Sequence, residues 1–191
     1  MTRLLPYPIG RLIQPWDNVF FGLLPDLLAG RQAEACADDL QRRRGRPDHR
    51  VWRRCLHVTL ANLSLDGIVT EERLARATDA AEEVRVPPFL LEFNRIESWR
   101  GDPRPLVMTG EDGVIGADGL HAALGLALAK ADLASGWASN FTAHMTLLRD
   151  RLETPIQHVL PIRWWVREFV LIHSHVGQGR YTILGRWPLI G

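Results

Sequence analysis

The tetrapeptide His-x-Thr-apolar occurs twice in this chain, as His57-Val58-Thr59-Leu60 and His144-Met145-Thr146-Leu147, nearly half a chain length apart. Each copy sits in an apolar run that reads as a β-strand. In a strand, residues i and i+2 share a face. Each copy therefore aims an imidazole and a hydroxyl to one side and two apolar groups to the other. A fold that brings the two strands together makes a small site of two histidines and two threonines. Those groups suffice for acid–base chemistry on a phosphate, with no metal and no covalent intermediate.

The repeat is not a chance product of composition. With 7 histidines and 9 threonines, two such patterns with an apolar fourth residue arise by chance about once in a hundred sequences. The net charge of +1 gives no global basic field. Lys130 is the only lysine, and Lys130-Ala131-Asp132-Leu133 lacks the glycine of a K-x-D-G adenylation motif, which argues against an ATP-dependent ligase. Two cysteines, Cys36 and Cys55, make neither a disulfide framework nor a zinc site and point to a reducing cytoplasm. No apolar run approaches the ~20 residues of a membrane span. The proline-broken start, 1–17, reads as a loose arm before a single domain of two similar lobes, 18–191.

Hydrophobic periodicity and turn signals give the order β-α-β-α-β-β-α-β-β-β. Val19–Leu24 reads as a buried strand, Asp26 as the cap of a helix packed through Leu27, Leu28, Ala35 and Leu40, and Gly45 as its stop. The first motif lies in an extended run over 52–65, closed by an Asp66-Gly67 turn. Thr70 caps a helix over 70–84, and strands follow at 89–96 and 106–109. A helix over 118–133 ends before Gly136. The second motif occupies 141–149, 154–161 is a loop, 163–173 one long strand, and Gly177-Gln178-Gly179 a hairpin turn before 180–189. This is an α+β pattern: two antiparallel sheets with outer helices, related by an approximate two-fold, with the motif strands lining the cleft between the lobes.

The chain resembles the 2H phosphoesterase superfamily, and most closely the bacterial and archaeal RNA 2′,3′-cyclic phosphodiesterases, also called 2′-5′ RNA ligases. The resemblance rests on the two motifs, on Phe20-Phe21-Gly22-Leu23-Leu24-Pro25, on Arg149 after the second motif, and on an ordered ending. That ending is Phe169 to Ser174, Gly179-Arg180-Tyr181 and Trp187-Pro188-Leu189. It runs from about Val19 to Leu189. Ala143 stands where the family often has proline, and 47–54 is richer in arginine than usual.

The resemblance implies that His57 is the proton donor and His144 the proton acceptor, that the 3′-oxygen leaves, and that a 2′-phosphate remains. The residues themselves leave the two histidines interchangeable. Thr59 and Thr146 suit the non-bridging oxygens, and Arg149 a phosphate contact. Tyr181 and Phe21 are candidates for stacking on a base. No cofactor and no metal is expected. The expected partners are RNA ends or small cyclic nucleotides, with no membrane and no obligate protein partner. Three other readings stand beside this one: 2′-5′ RNA ligation or cleavage, hydrolysis of an ADP-ribose cyclic phosphate, and a non-catalytic module that grips RNA ends. Seven arginines over 42–54 (42, 43, 44, 46, 50, 53, 54) face one aspartate, Asp48. They read either as a solvated helix end or as a landing strip for a polyanion. His173 and His175 read as structural or rim residues, and the tryptophans as mostly core.

Overall fold

The computed structural model describes residues 17–44, 49–64, 69–133 and 140–191. Two antiparallel sheets carry the fold. One has the strand order β3-β1-β8-β9, the other β2-β6-β5-β4-β7. The first contains β1 (Asn18–Leu23), β3 (Val58–Asn62), β8 (Glu168–His175) and β9 (Arg180–Pro188). The second contains β2 (His49–Arg50), β4 (Phe89–Ser98), β5 (Arg104–Thr109), β6 (His144–Asp150) and β7 (Gln157–Val166). Helix α1 (Leu27–Arg44) lies on the second sheet against β6 and β7. Helices α2 (Glu71–Glu82) and α3 (Ile115–Lys130) pack on each other, α2 reaching β9 and α3 reaching β3 and β4. The sheets meet along β3 and β6, so the motif strands are neighbours.

Local signals explain the helix starts. Asp26 Oδ1 accepts the Ala29 N–H at 2.8 Å, and Thr70 Oγ1 accepts the Arg73 N–H at 3.1 Å. Each satisfies one of the donors that a helix start leaves open, worth about 1 kcal/mol. Helix α1, however, buries Ala29, Ala33, Ala37 and Leu40, while Leu27 and Leu28 are exposed and Ala35 too. Alanines at i, i+4 and i+8, followed by Leu40 at i+11, let the helix lie close to the sheet. Gly177 and Gly179 have φ of 80° and 55° at the β8–β9 turn, values that favour glycine.

Two expected elements change. Residues 157–161 are strand, not loop: β7 begins at Gln157. Pro161 is tolerated because β7 is an edge strand and because the β4–β7 register shifts between Phe93 and Arg95, beside that proline. The long strand over 163–173 is two strands in different sheets, divided at Arg167. The burial pattern records the crossing, alternating along β7 and then running through five successive buried residues in β8. Both cysteines are free. Of the described tryptophans, Trp164 and Trp187 are core, but Trp52 and Trp165 are exposed. No described helix is long and apolar enough to cross a membrane. Gly45, Asp66-Gly67, Gly136 and all but the last residue of the 1–17 arm lie outside the described residues. That last residue, Asp17, is buried and bonded to His173.

Candidate active site

Both motifs fold in the same way, and the detail that matters is a bulge. Phe20 faces Asn62 and Phe21 faces Ala61, but Gly22 faces Thr59 and Leu23 faces Val58. Leu60 is therefore an extra residue in β3. In β6, Leu106 faces Leu148 and Val107 faces Thr146, which makes Leu147 the extra residue there. The fourth residue of each motif is thus a β-bulge. A bulge shifts the alternation of all residues that follow. Asn62 rejoins the face of Thr59, and Arg149 the face of Thr146. Strict alternation would have sent both to the opposite side.

The carbonyl of each bulge residue is satisfied. Leu60 O accepts from His121 Nδ1 at 2.8 Å, and Leu147 O accepts from the Val51 N–H at 2.9 Å. His121, stacked on Phe141 at 4.1 Å, is a structural residue that no local sequence signal marks. Gly22 lies opposite Thr59, and a Cβ there would stand 2.9 Å from the Val58 carbonyl oxygen. Only glycine lets β1 pass the bulge so closely.

The histidines repeat the symmetry. His57 Nδ1 lies 2.8 Å from the carbonyl oxygen of Cys55, and His144 Nδ1 lies 2.8 Å from that of Thr142. Each carbonyl, two residues back, can only accept, so Nδ1 carries the proton. That fixes the tautomer and leaves Nε2 as the reactive nitrogen of both rings. His57, Thr59, His144 and Thr146 are all half-buried. Burial pushes both imidazoles below their ordinary pKa, against the opposing pull of the carbonyl bond. For His57 the charge of His144 lowers it further.

Aromatic rings back each histidine. Phe20 lies 4.7 Å from the His57 ring, and Tyr181 stands edge-on to it at 5.5 Å. Trp99 lies 4.2 Å from the His144 ring. The Tyr181 hydroxyl is 3.0 Å from His57 Nδ1. Its oxygen shares the Nδ1–H with the Cys55 carbonyl. Burial pushes the Tyr181 pKa up, so the phenol keeps its proton. Phe20, Val170 and Ile172 form a small apolar cluster with Leu24, Tyr181 and Ile183, separate from the main core. The register puts Gly22, Phe20, Ile172 and Tyr181 on the face of Thr59.

Phe21 does not belong to the site. It is fully buried in the main core against Phe169 and Trp187, one residue out of phase with the histidine face. Its neighbour Phe20 holds the place next to His57. Phe20, Trp99 and Asn62 are the site neighbours that sequence reading missed. Arg149 is exposed on the His144 face. Much of the basic window is internally occupied. Arg42 and Arg43 pair with Asp39 at 3.6 and 2.6 Å, Arg53 with Glu34 at 3.6 Å, and Arg54 donates to Gly179 O at 2.8 Å. These contacts favour the solvated helix end over a landing strip. Arg46 and Asp48 lie outside the described residues.

The sequence matches the model of the 2′-5′ RNA ligase superfamily over residues 25–178. The chain belongs to that superfamily. Its solved members include close structural neighbours of the fold described above. Apo LigT of E. coli is 26% identical and superposes with a TM-score of 0.71, over 92% of this chain and 98% of its own. LigT complexed with 3′-AMP is 27% identical, with a TM-score of 0.71 over 92% and 99%. A structure described as a phosphoesterase is 27% identical, with a TM-score of 0.70 over the same shares. No curated protein sequence matches significantly. The family and these neighbours together make the protein a phosphodiesterase-type member of the 2H fold.

Proposed function

We propose that the protein opens 2′,3′-cyclic phosphates at RNA ends or on nucleotides, leaving a 2′-phosphate, by metal-independent acid–base catalysis. The observation that carries this is the paired geometry: two imidazoles, each with Nδ1–H held by a carbonyl two residues back and each with Nε2 free. One neutral ring takes a proton from the attacking water. The other, protonated, gives one to the leaving ribose oxygen. In-line displacement needs these groups on opposite sides of phosphorus, and one ring from each sheet suits that.

His57 is the donor in this reading. Its Nδ1–H has two oxygen acceptors, Cys55 O and Tyr181 Oη, against one for His144; in the complex they offset the burial and the His144 charge that lower its pKa in the free protein. Thr59 and Thr146 donate to the non-bridging oxygens, where charge builds. Arg149, on the same face, adds a cation. The reverse reaction joins a cyclic phosphate to a hydroxyl as a 2′-5′ linkage, and the superfamily's name keeps that direction in view.

The test is an oligonucleotide ending in a 2′,3′-cyclic phosphate, incubated with enzyme in EDTA and read by phosphorus NMR. A 2′-phosphate product supports the proposal. A 3′-phosphate, or no turnover, contradicts it. Two variants refine it. Arg149→Ala is expected to lower kcat/KM by about 10- to 150-fold, the equivalent of a charge-assisted hydrogen bond, with a weaker salt dependence. Tyr181→Phe removes one acceptor from His57 and is expected to cost only about 2- to 12-fold. It should also move the basic limb of the pH profile to lower pH.

A further inference from the structure

The opposite face of the first sheet carries a second cluster of chemistry-bearing groups. His173 and His175 are two apart in β8, so they share a face. The register sets His173 beside Val19 and Thr182, while Ser174 and Tyr181 occupy the other, reaction-side face. Asp17, directly before β1, reaches the same place. One ligand-capable atom from each of Asp17, His173 and His175 lies within 4.8 Å of the others. His173 Nε2 is 2.7 Å from Asp17 Oδ2, and the two imidazole rings are 4.1 Å apart between centroids. His175 is held by Thr182, whose Oγ1 lies 2.8 Å from Nε2. That leaves Nδ1 of His175 as its ligating atom. Asp17 and His173 are buried and His175 is half-buried.

A buried carboxylate needs one histidine as a partner. Here a second imidazole is packed on the first, with its far nitrogen fixed by a hydroxyl as ligating histidines commonly are. We propose that Asp17, His173 and His175 bind a first-row divalent cation, zinc above all, which ties the start of β1 to the β8–β9 hairpin. Two imidazoles and one carboxylate suit zinc, nickel or cobalt, whereas magnesium and calcium prefer all-oxygen sets. In a tetrahedral zinc site, bonds of ~2.1 Å hold neighbouring ligands ~3.3 Å apart. To reach that spacing the Asp17–His173 pair opens from 2.7 Å and His175 shifts inward with its Nε2 still held by Thr182. Water fills the fourth position. The cation replaces the proton between His173 Nε2 and Asp17 Oδ2, and that proton goes to the ring's other nitrogen or to solvent. The site is on the far side of the sheet from His57. It is structural and independent of the reaction proposed above.

The test uses the full chain without a histidine tag, stripped with EDTA and dialysed. Titration with Co2+ is expected to give a visible d–d absorption band that saturates at one equivalent. Zinc at saturation is expected to raise Tm by about 5 °C or more. His175→Ala, at a half-exposed position, should fold with nearly the wild-type Tm in EDTA and lose both the band and the rise. Turnover of a cyclic phosphate in EDTA should be the same in wild type and His175→Ala, which separates this site from the reaction. A wild type with neither band nor Tm rise overturns the proposal. So does a His175→Ala protein that binds Co2+ as the wild type does.

Discussion

Replacing either His57 or His144 with alanine is expected to lower kcat on a cyclic phosphate by about 10²- to 10⁴-fold, the usual contribution of a positioned acid or base. Both rings are held by a backbone carbonyl at Nδ1, so neither loss can be made good by the other turning over. The two act in one displacement, and the double variant should be little worse than the weaker single one. The folded state should survive, because both side chains are only half-buried and the bulges are held by His121 and Val51. Initial rates together with far-ultraviolet circular dichroism check this. Loss of turnover with an intact spectrum and unchanged RNA binding is the expected result. An alanine variant that keeps more than a tenth of wild-type kcat would remove that histidine from the chemistry. If the wild type binds RNA ends without turnover, the site is a binding module.

Phe21→Ala is expected to destabilise the protein by about 3–5 kcal/mol, the cost of emptying a buried aromatic site. Phe21 has no exposure and contacts Phe169 and Trp187 at ring-centroid distances of 6.0 and 5.6 Å. In a chain this long, that loss lowers Tm by roughly 6–20 °C. Were Phe21 a base platform, the same change would raise KM and leave Tm almost untouched. A thermal melt beside a KM measurement separates the two. The result expected is a large fall in Tm with KM unchanged below the new transition.

Phe21 and Phe20 separate what is local in this sequence from what is not. The histidines, the threonines, the caps at Asp26 and Thr70 and the hairpin glycines are local signals, and each is written in a few adjacent residues. Which face of β1 meets the substrate depends instead on register with β3, and a one-residue slip exchanges the faces. The bulges at Leu60 and Leu147 do leave a trace. Leu60-Ala61 and Leu147-Leu148 put two apolar residues side by side where alternation calls for one, and all four are buried. The break at Arg167 leaves almost none, because β7 and β8 are both rich in strong strand formers. Asp17 meets His173 only through the pairing of β1 with β8, a contact between the two ends of the chain that no local pattern encodes.

The pH dependence of kcat/KM tests the two-histidine account most directly. In the free enzyme both imidazoles lie below the ordinary value of 6.5, chiefly through burial. Activity needs one ring neutral and the other protonated. The profile should therefore be a bell whose limbs both fall at lower pH than free imidazole would give. A bound phosphate anion favours the charged rings, so the bell for kcat should stand at higher pH than that for kcat/KM. A bell in both, displaced in that sense, is what two cooperating imidazoles predict. A profile with a single limb, or a rate flat from pH 5 to pH 8, would contradict the account.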